Sequence, residues 1–124
     1  FQTATEVEFA LEQARLAYQL WKRTSLPIRE GYISAVRQRL LNDRIFLATL
    51  ISREVGKPFR ESLAEIDKCV SVCDYYLTHV ERFLAFREER FVDKHIRHTL
   101  MPTGIILGIM PWNYPFWQVF RYAI

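Results

Sequence analysis

The sequence predicts an α/β fold, a layer of helices feeding the first strand and helix of a sheet. Up to Leu84, four stretches place apolar residues at three- and four-residue steps, the period of a helix with one buried side. Ile105, Ile106, Leu107, Ile109 and Met110 then form a short apolar run rich in β-branched residues, bounded by Gly104 and Pro111. That is the pattern of a strand buried on both faces of a parallel sheet. Finally, Pro115 suits the first turn of a helix running through Phe116 to Ile124, because its missing N–H is not needed there.

The first helix has the form of a capping box at Thr5-x-x-Glu8, with Val7, Ala10, Leu11, Ala14, Ala17, Tyr18 and Trp21 as its stripe to about Lys22. Ser25 can cap a second helix with Pro27 in its first turn and Ile28, Tyr32, Ile33, Val36 and Leu40 as its buried side. A third follows Asn42-Asp43 through Ile45, Phe46, Leu47, Leu50 and Ile51 to Val55, where Gly56 and Pro58 form a stop. The longest pattern, Leu63, Ile66, Val70, Cys73, Leu77, Val80 and Leu84, alternates steps of three and four without a miss. Burying each of those side chains contributes roughly 1.5 to 3 kcal/mol before the entropy of ordering is subtracted. Residues 91–101 alternate less cleanly and read as a strand or hairpin arm.

Composition narrows the function classes. Seventeen Lys and Arg against 14 Asp and Glu leave a net charge of +3, with the signs mixed along the helices. This is a solvated surface and not a nucleic-acid footprint. Cys69 and Cys73, four apart on one helix, point the same way and do not readily bridge each other, which fits a reducing cytoplasm. No charge occurs between Arg97 and Arg121, a gap long enough to cross a bilayer, but three prolines, two glycines and Asn113 within it would leave backbone groups unpaired in lipid. No membrane span is expected. Both ends read as cut, because the chain opens on Phe1 and stops at Ile124 inside an apolar helix with no capping signal.

Metal chemistry finds no support. His95 and His98 would face opposite sides of an extended segment, and Cys69, Cys73 and His79 lack zinc-site spacing. Gly56-Lys57 lacks the glycine-rich loop of a phosphate site. The polar residue in the most informative place is Asn113, a single amide between two prolines and among aromatics, at the carboxyl end of the expected strand, where α/β sheets bind ligands. It reads either as a placed hydrogen-bond donor for a developing negative charge or as the cap of the last helix.

Pro102-x-Gly104, the aliphatic run and Pro111-Trp112-Asn113-Tyr114-Pro115 resemble the aldehyde dehydrogenase superfamily, whose members typically show Pro-x-Gly, an aliphatic strand and then Pro-Trp-Asn-Phe/Tyr-Pro. Gly56-Lys57-Pro58 followed by Glu65-Ile66, and Trp21 with Arg37 downstream, are weaker echoes in the same order. The resemblance spans essentially the whole chain but only the front portion of a family member. It implies a helical portion over 1–90, a strand or hairpin arm over 91–101 that helps to pair subunits, and over 102–124 the start of a Rossmann-like cofactor-binding domain. It further implies NAD or NADP as cofactor and a homo-oligomer, dimer or tetramer.

By the same resemblance Asn113 stabilises the oxyanion formed when a nucleophile adds to an aldehyde, jointly with the backbone N–H of a catalytic cysteine. The backbone of Ile109, Met110, Pro111 and Trp112 matches the segment along the nicotinamide, and Tyr114 matches an aromatic of the substrate tunnel. Arg121, the only charge on the last helix, shares a face with Tyr114 and Gln118. Helical side chains lean toward the N-terminus and the rise from 113 to 121 is about 12 Å, so its guanidinium could grip a carboxylate at the far end of a short aldehyde. A packed stem with a solvated head is the structural alternative. Succinate semialdehyde has the right size, and residues 117–121 are similar to succinate-semialdehyde dehydrogenases. The family's cysteine nucleophile, its glutamate base and the residues holding the adenosine half lie beyond Ile124, and neither Cys69 nor Cys73 matches the nucleophile. The chain by itself is therefore expected to be inactive. The reading of a different class is a non-catalytic helical interaction module.

Overall fold

The structure, a computed structural model, describes residues 2–124. It comprises two compact units, one gathering the N-terminal helix and residues 84–107, the other Leu26–Phe83 with Gly108–Ile124.

In the first unit, helix α1 spans Ala4–Trp21. Its capping box is formed by Thr3 and Glu6, two residues earlier than the expected Thr5 and Glu8. The Glu6 N–H donates to Thr3 Oγ1 at 3.3 Å and the Thr3 N–H to Glu6 Oε2 at 2.7 Å. Both pairs satisfy the pattern, but the earlier one lets two more residues join the ladder at no new nucleation cost. Tyr18 Oη donates to the carbonyl of Pro102 at 3.3 Å.

That unit also contains a hairpin. Strands β1 (Arg87–Arg90) and β2 (His95–His98) pair antiparallel, with Arg87 opposite His98 and Arg90 opposite His95. The hairpin begins four residues before the expected arm at 91, because Arg-Glu-Glu-Arg carries no apolar alternation to mark a strand. Every residue of both strands is exposed, so cross-strand charges accompany the register. Glu88 takes Arg97 at 2.8 Å and His95 at 3.2 Å on one face, while His98 lies 3.6 Å from Glu89 on the other. The two histidines do face opposite sides.

The second unit holds α2 (Leu26–Asn42), α3 (Arg44–Val55), α4 (Phe59–Leu84) except its last residue, and α5 (Pro115–Ala123). Its core joins Leu40, Ile51, Ile66, Cys69, Val70 and Cys73, and Ile33, Leu47, Val55, Phe116, Trp117, Phe120 and Ile124 pack against it. Arg44 grips Asp67 with two hydrogen bonds of 2.5 and 2.6 Å between α3 and α4, and Arg37 pairs with Asp74 between α2 and α4. The buried Ser62 hydroxyl bonds that of Ser52 at 2.9 Å, so the polar atom between these helices is satisfied. Helix α3 ends as its sequence dictates, on Gly56 with φ +75°, a left-handed cap whose N–H returns to Ser52.

Two expectations need correction. Of the α2 stripe only Leu40 is buried and Ile33 half-buried; Ile28, Tyr32 and Val36 are exposed, as is Leu84 at the end of the α4 pattern. Periodicity identifies the apolar side of a helix but does not supply what covers it. Residues 105–110, expected as a doubly buried strand, form no strand, and Leu107 and Ile109 are 85% and 88% exposed. A strand exists only by pairing, and the single sheet among the described residues pairs β1 with β2 alone. Among the described residues, no helix is long and apolar enough to cross a membrane.

Candidate active site

Helix α5 begins without a side-chain cap of its own. Its N-cap residue is Tyr114, which makes no capping hydrogen bond, and Pro115 at the first helical position has no N–H to satisfy. The open donors are the N–H groups of Phe116 and Trp117. Both donate to Glu65 Oε1, at 2.9 and 3.0 Å, from a carboxylate borne on α4. A negative charge there also complements the positive end of the helix dipole. The alternative role of Asn113 as helix cap is thereby overturned.

Glu65 Oε2 accepts from Lys57 Nζ at 2.6 Å, and the two side chains are 0% and 7% exposed. Lys57 sits where the left-handed Gly56 turns the chain out of α3, one residue before Pro58, whose carbonyl accepts the N–H groups of Glu61 and Ser62 as α4 begins. From this corner Nζ also donates to the carbonyl oxygen of Asn113 at 3.3 Å and lies 3.5 Å from the ring centroid of Tyr114. One buried ammonium therefore touches a carboxylate, a carbonyl and an aromatic face, and both carboxylate oxygens are occupied. A buried ion pair is tolerable only when its remaining hydrogen-bonding capacity is met in this way.

These contacts hold the turn at residues 112–114, on which Asn113 is exposed. Upstream, Ile109 and Trp112 are largely exposed and Met110 is half-buried. The approach of this segment to α5 depends on Gly108: a Cβ there would lie 2.8 Å from the terminal carbon of Met110 and 2.9 Å from the Tyr122 ring. On α5, the core takes Phe116, Trp117, Phe120 and Ile124, while Tyr114, Gln118 and Arg121 follow one another at helical spacing outside that group. Arg121 is exposed and Gln118 half-buried. Lys68 Nζ lies 4.0 Å over the Trp117 ring, a second cation holding the start of α5.

The cysteines have the wrong chemistry for a nucleophile. Burial, followed by the charge of Glu65, pushes the Cys69 thiol up to about 12. Burial and then Asp74 likewise raise Cys73. A reactive cysteine needs its thiolate, which both sites disfavour. His79 keeps Nδ1 on the carbonyl of Tyr75 at 2.7 Å, and among the described residues no three His, Cys, Asp or Glu converge as metal ligands.

Sequence reasoning passed over Lys57 and Glu65 as working residues and used them only as marks of resemblance. The signal was nevertheless there. Glu65 falls among Ser62, Ile66 and Cys69 on the buried side of α4, and a charge in such a stripe requires a partner.

The aldehyde dehydrogenase family model matches residues 1–124. Succinate semialdehyde dehydrogenase [NAD(P)+] Sad of Escherichia coli (strain K12) is 32% identical over 121 residues, 98% of this chain and 26% of that protein. The probable succinate-semialdehyde dehydrogenase [NADP(+)] of Synechocystis sp. is 33% identical over 118 residues, 95% of this chain and 26% of that protein. Succinic semialdehyde dehydrogenase from Streptococcus pyogenes, crystallised with NADP+, superposes with a TM-score of 0.89 at 30% identity, over 98% of this chain and 27% of its own. The chain thus spans about a quarter of the length of these relatives.

Proposed function

The chain belongs to the aldehyde dehydrogenase family, and we propose that it is the N-terminal part of an enzyme that oxidises succinate semialdehyde, or a similar aldehyde with a distal carboxylate, to the acid using NAD or NADP. Addition of a nucleophile to the aldehyde carbon moves negative charge onto oxygen, and the Asn113 side-chain amide donates a hydrogen bond to that oxygen. The observation that carries this role is the clamped turn: Asn113 is exposed while its own carbonyl is tied to Lys57 and the next helix to Glu65. A donor fixed before reaction needs no reorganisation when the charge appears.

The residues present fit one part of the dinucleotide. Residues 109–112 form an open, non-helical segment with exposed Ile109 and Trp112, against which a flat nicotinamide ring can lie. When bound, the dinucleotide supplies the hydride acceptor. Tyr114, Gln118 and Arg121 line the approach of the aldehyde, and the Arg121 guanidinium holds the carboxylate of the substrate with two hydrogen bonds. The nucleophile and the general base come from outside these 124 residues, so the chain alone is inactive.

In this reading residues 102–124 open the cofactor-binding sheet, and the apolar run 105–110 becomes a strand once the rest of the polypeptide supplies a neighbour. The arm over 91–101, with its hairpin, serves to pair subunits of a homo-oligomer, dimer or tetramer. Two free, buried cysteines accord with the reducing cytoplasm. The test is Asn113→Ala in the full-length enzyme. It is expected to lower kcat for succinate semialdehyde by about 100- to 1,000-fold at unchanged dinucleotide affinity; an unaltered kcat refutes the oxyanion role.

A further inference from the structure

We infer that Lys57 and Glu65 are positioning residues for the oxyanion donor: the buried ion pair sets the place of Asn113, and the pair affects the reaction through Asn113 alone. The inference rests on the role proposed for Asn113 and adds to it the device that holds that residue still.

Three features support it. The pair grips the chain at two points just after the Asn113 side chain, Lys57 through the Asn113 carbonyl at 3.3 Å and Glu65 through the N–H groups of Phe116 and Trp117 at 2.9 and 3.0 Å. Helix α5 has no cap of its own, so without Glu65 the two leading N–H groups lose their acceptor and the start of the helix is free to shift. Lys57 in turn is fixed by Glu65 and by the face of Tyr114, the residue next to Asn113. A displacement of a catalytic group by about 1 Å is enough to cost a reaction about 100-fold.

The experiment is a double-mutant cycle in the full-length enzyme, with kcat, KM for succinate semialdehyde and dinucleotide affinity measured for Lys57→Met and Glu65→Gln, each alone and combined with Asn113→Ala. Glu65→Gln keeps an oxygen for the two N–H groups but removes the charge that holds Lys57, so it carries the same comparison if Lys57→Met fails to fold. Each single variant is expected to lose about 10- to 100-fold in kcat with KM and dinucleotide affinity little changed. In the Asn113→Ala background the same substitutions are expected to cost nothing further in kcat. Equal losses in both backgrounds, or losses confined to KM, overturn the inference and leave the pair a purely structural feature. A full kcat in Asn113→Ala itself is a different failure, that of the oxyanion role.

Discussion

Glu65 Oε1 lies 2.9 Å from the backbone nitrogen of Phe116, so a carboxylate on one helix supplies the cap that the next helix, 51 residues later, does not encode. The same carboxylate carries Lys57 on its other oxygen, and through that lysine the Asn113 turn is tied to the corner between α3 and α4.

Breaking this pair on one side is expected to be costly. Lys57→Met leaves Glu65 buried and uncompensated and should destabilise the full-length enzyme by about 3–5 kcal/mol. Adding Glu65→Gln to the same protein removes the orphaned charge and should restore part of the loss. Equilibrium unfolding in guanidinium compares the two; a double variant less stable than Lys57→Met contradicts the pairing.

Glycine matters differently at two sites. Gly56 has φ +75° and open space where a Cβ would stand, so Gly56→Ala carries only the backbone penalty, about 1–2 kcal/mol of destabilisation. Gly31, inside α2, also has nothing within 4 Å but no such conformation, and Gly31→Ala should stabilise by about 0.5–1 kcal/mol. Thermal melts of the two variants should move in opposite directions.

The core thiols predict a response to alkali. The folded state keeps Cys69 protonated up to about 12, whereas the unfolded chain releases the proton near 9.0. Between those values the unfolded state binds fewer protons, so the stability contributed by the neutral thiol is complete below pH 9 and is lost as the pH rises toward 12. Cys69→Ala should flatten that alkaline decline. In the native protein at pH 8, iodoacetamide should label Cys69 and Cys73 only after denaturation, as read by peptide mass.

Substrate selection tests Arg121. In the full-length enzyme Arg121→Ala should raise KM for succinate semialdehyde at least about tenfold, the loss of one charge-assisted contact of roughly 1.5–3 kcal/mol, while an uncharged aldehyde of similar length is little affected. Equal effects on both aldehydes refute a carboxylate contact and leave Arg121 a surface residue.

Much of this molecule was legible before any coordinates. Steps of three and four placed α2, α3 and α4, Gly56 marked a helix end, and Pro115 marked the start of α5 because a residue without an N–H belongs in a first turn. The Pro-Trp-Asn-Tyr-Pro motif led to the family, since local backbone constraints and residue types are written directly in the chain. The hairpin was blurred because its strands are charged and exposed on both faces, leaving no period-two hydrophobic signal.

Tertiary structure alone decided what the charges do. Nothing in the local sequence tells Glu65 to cap a helix 51 residues away, or Lys57 to reach the Asn113 carbonyl; those contacts exist because α4 and α5 share one core, which brings chain-distant groups within hydrogen-bond reach. The same reason explains the run at 105–110. Its composition is that of a strand, but a strand is made by its neighbours, and hydrogen bonds between strands depend on which segments meet in space rather than on the residues of one segment.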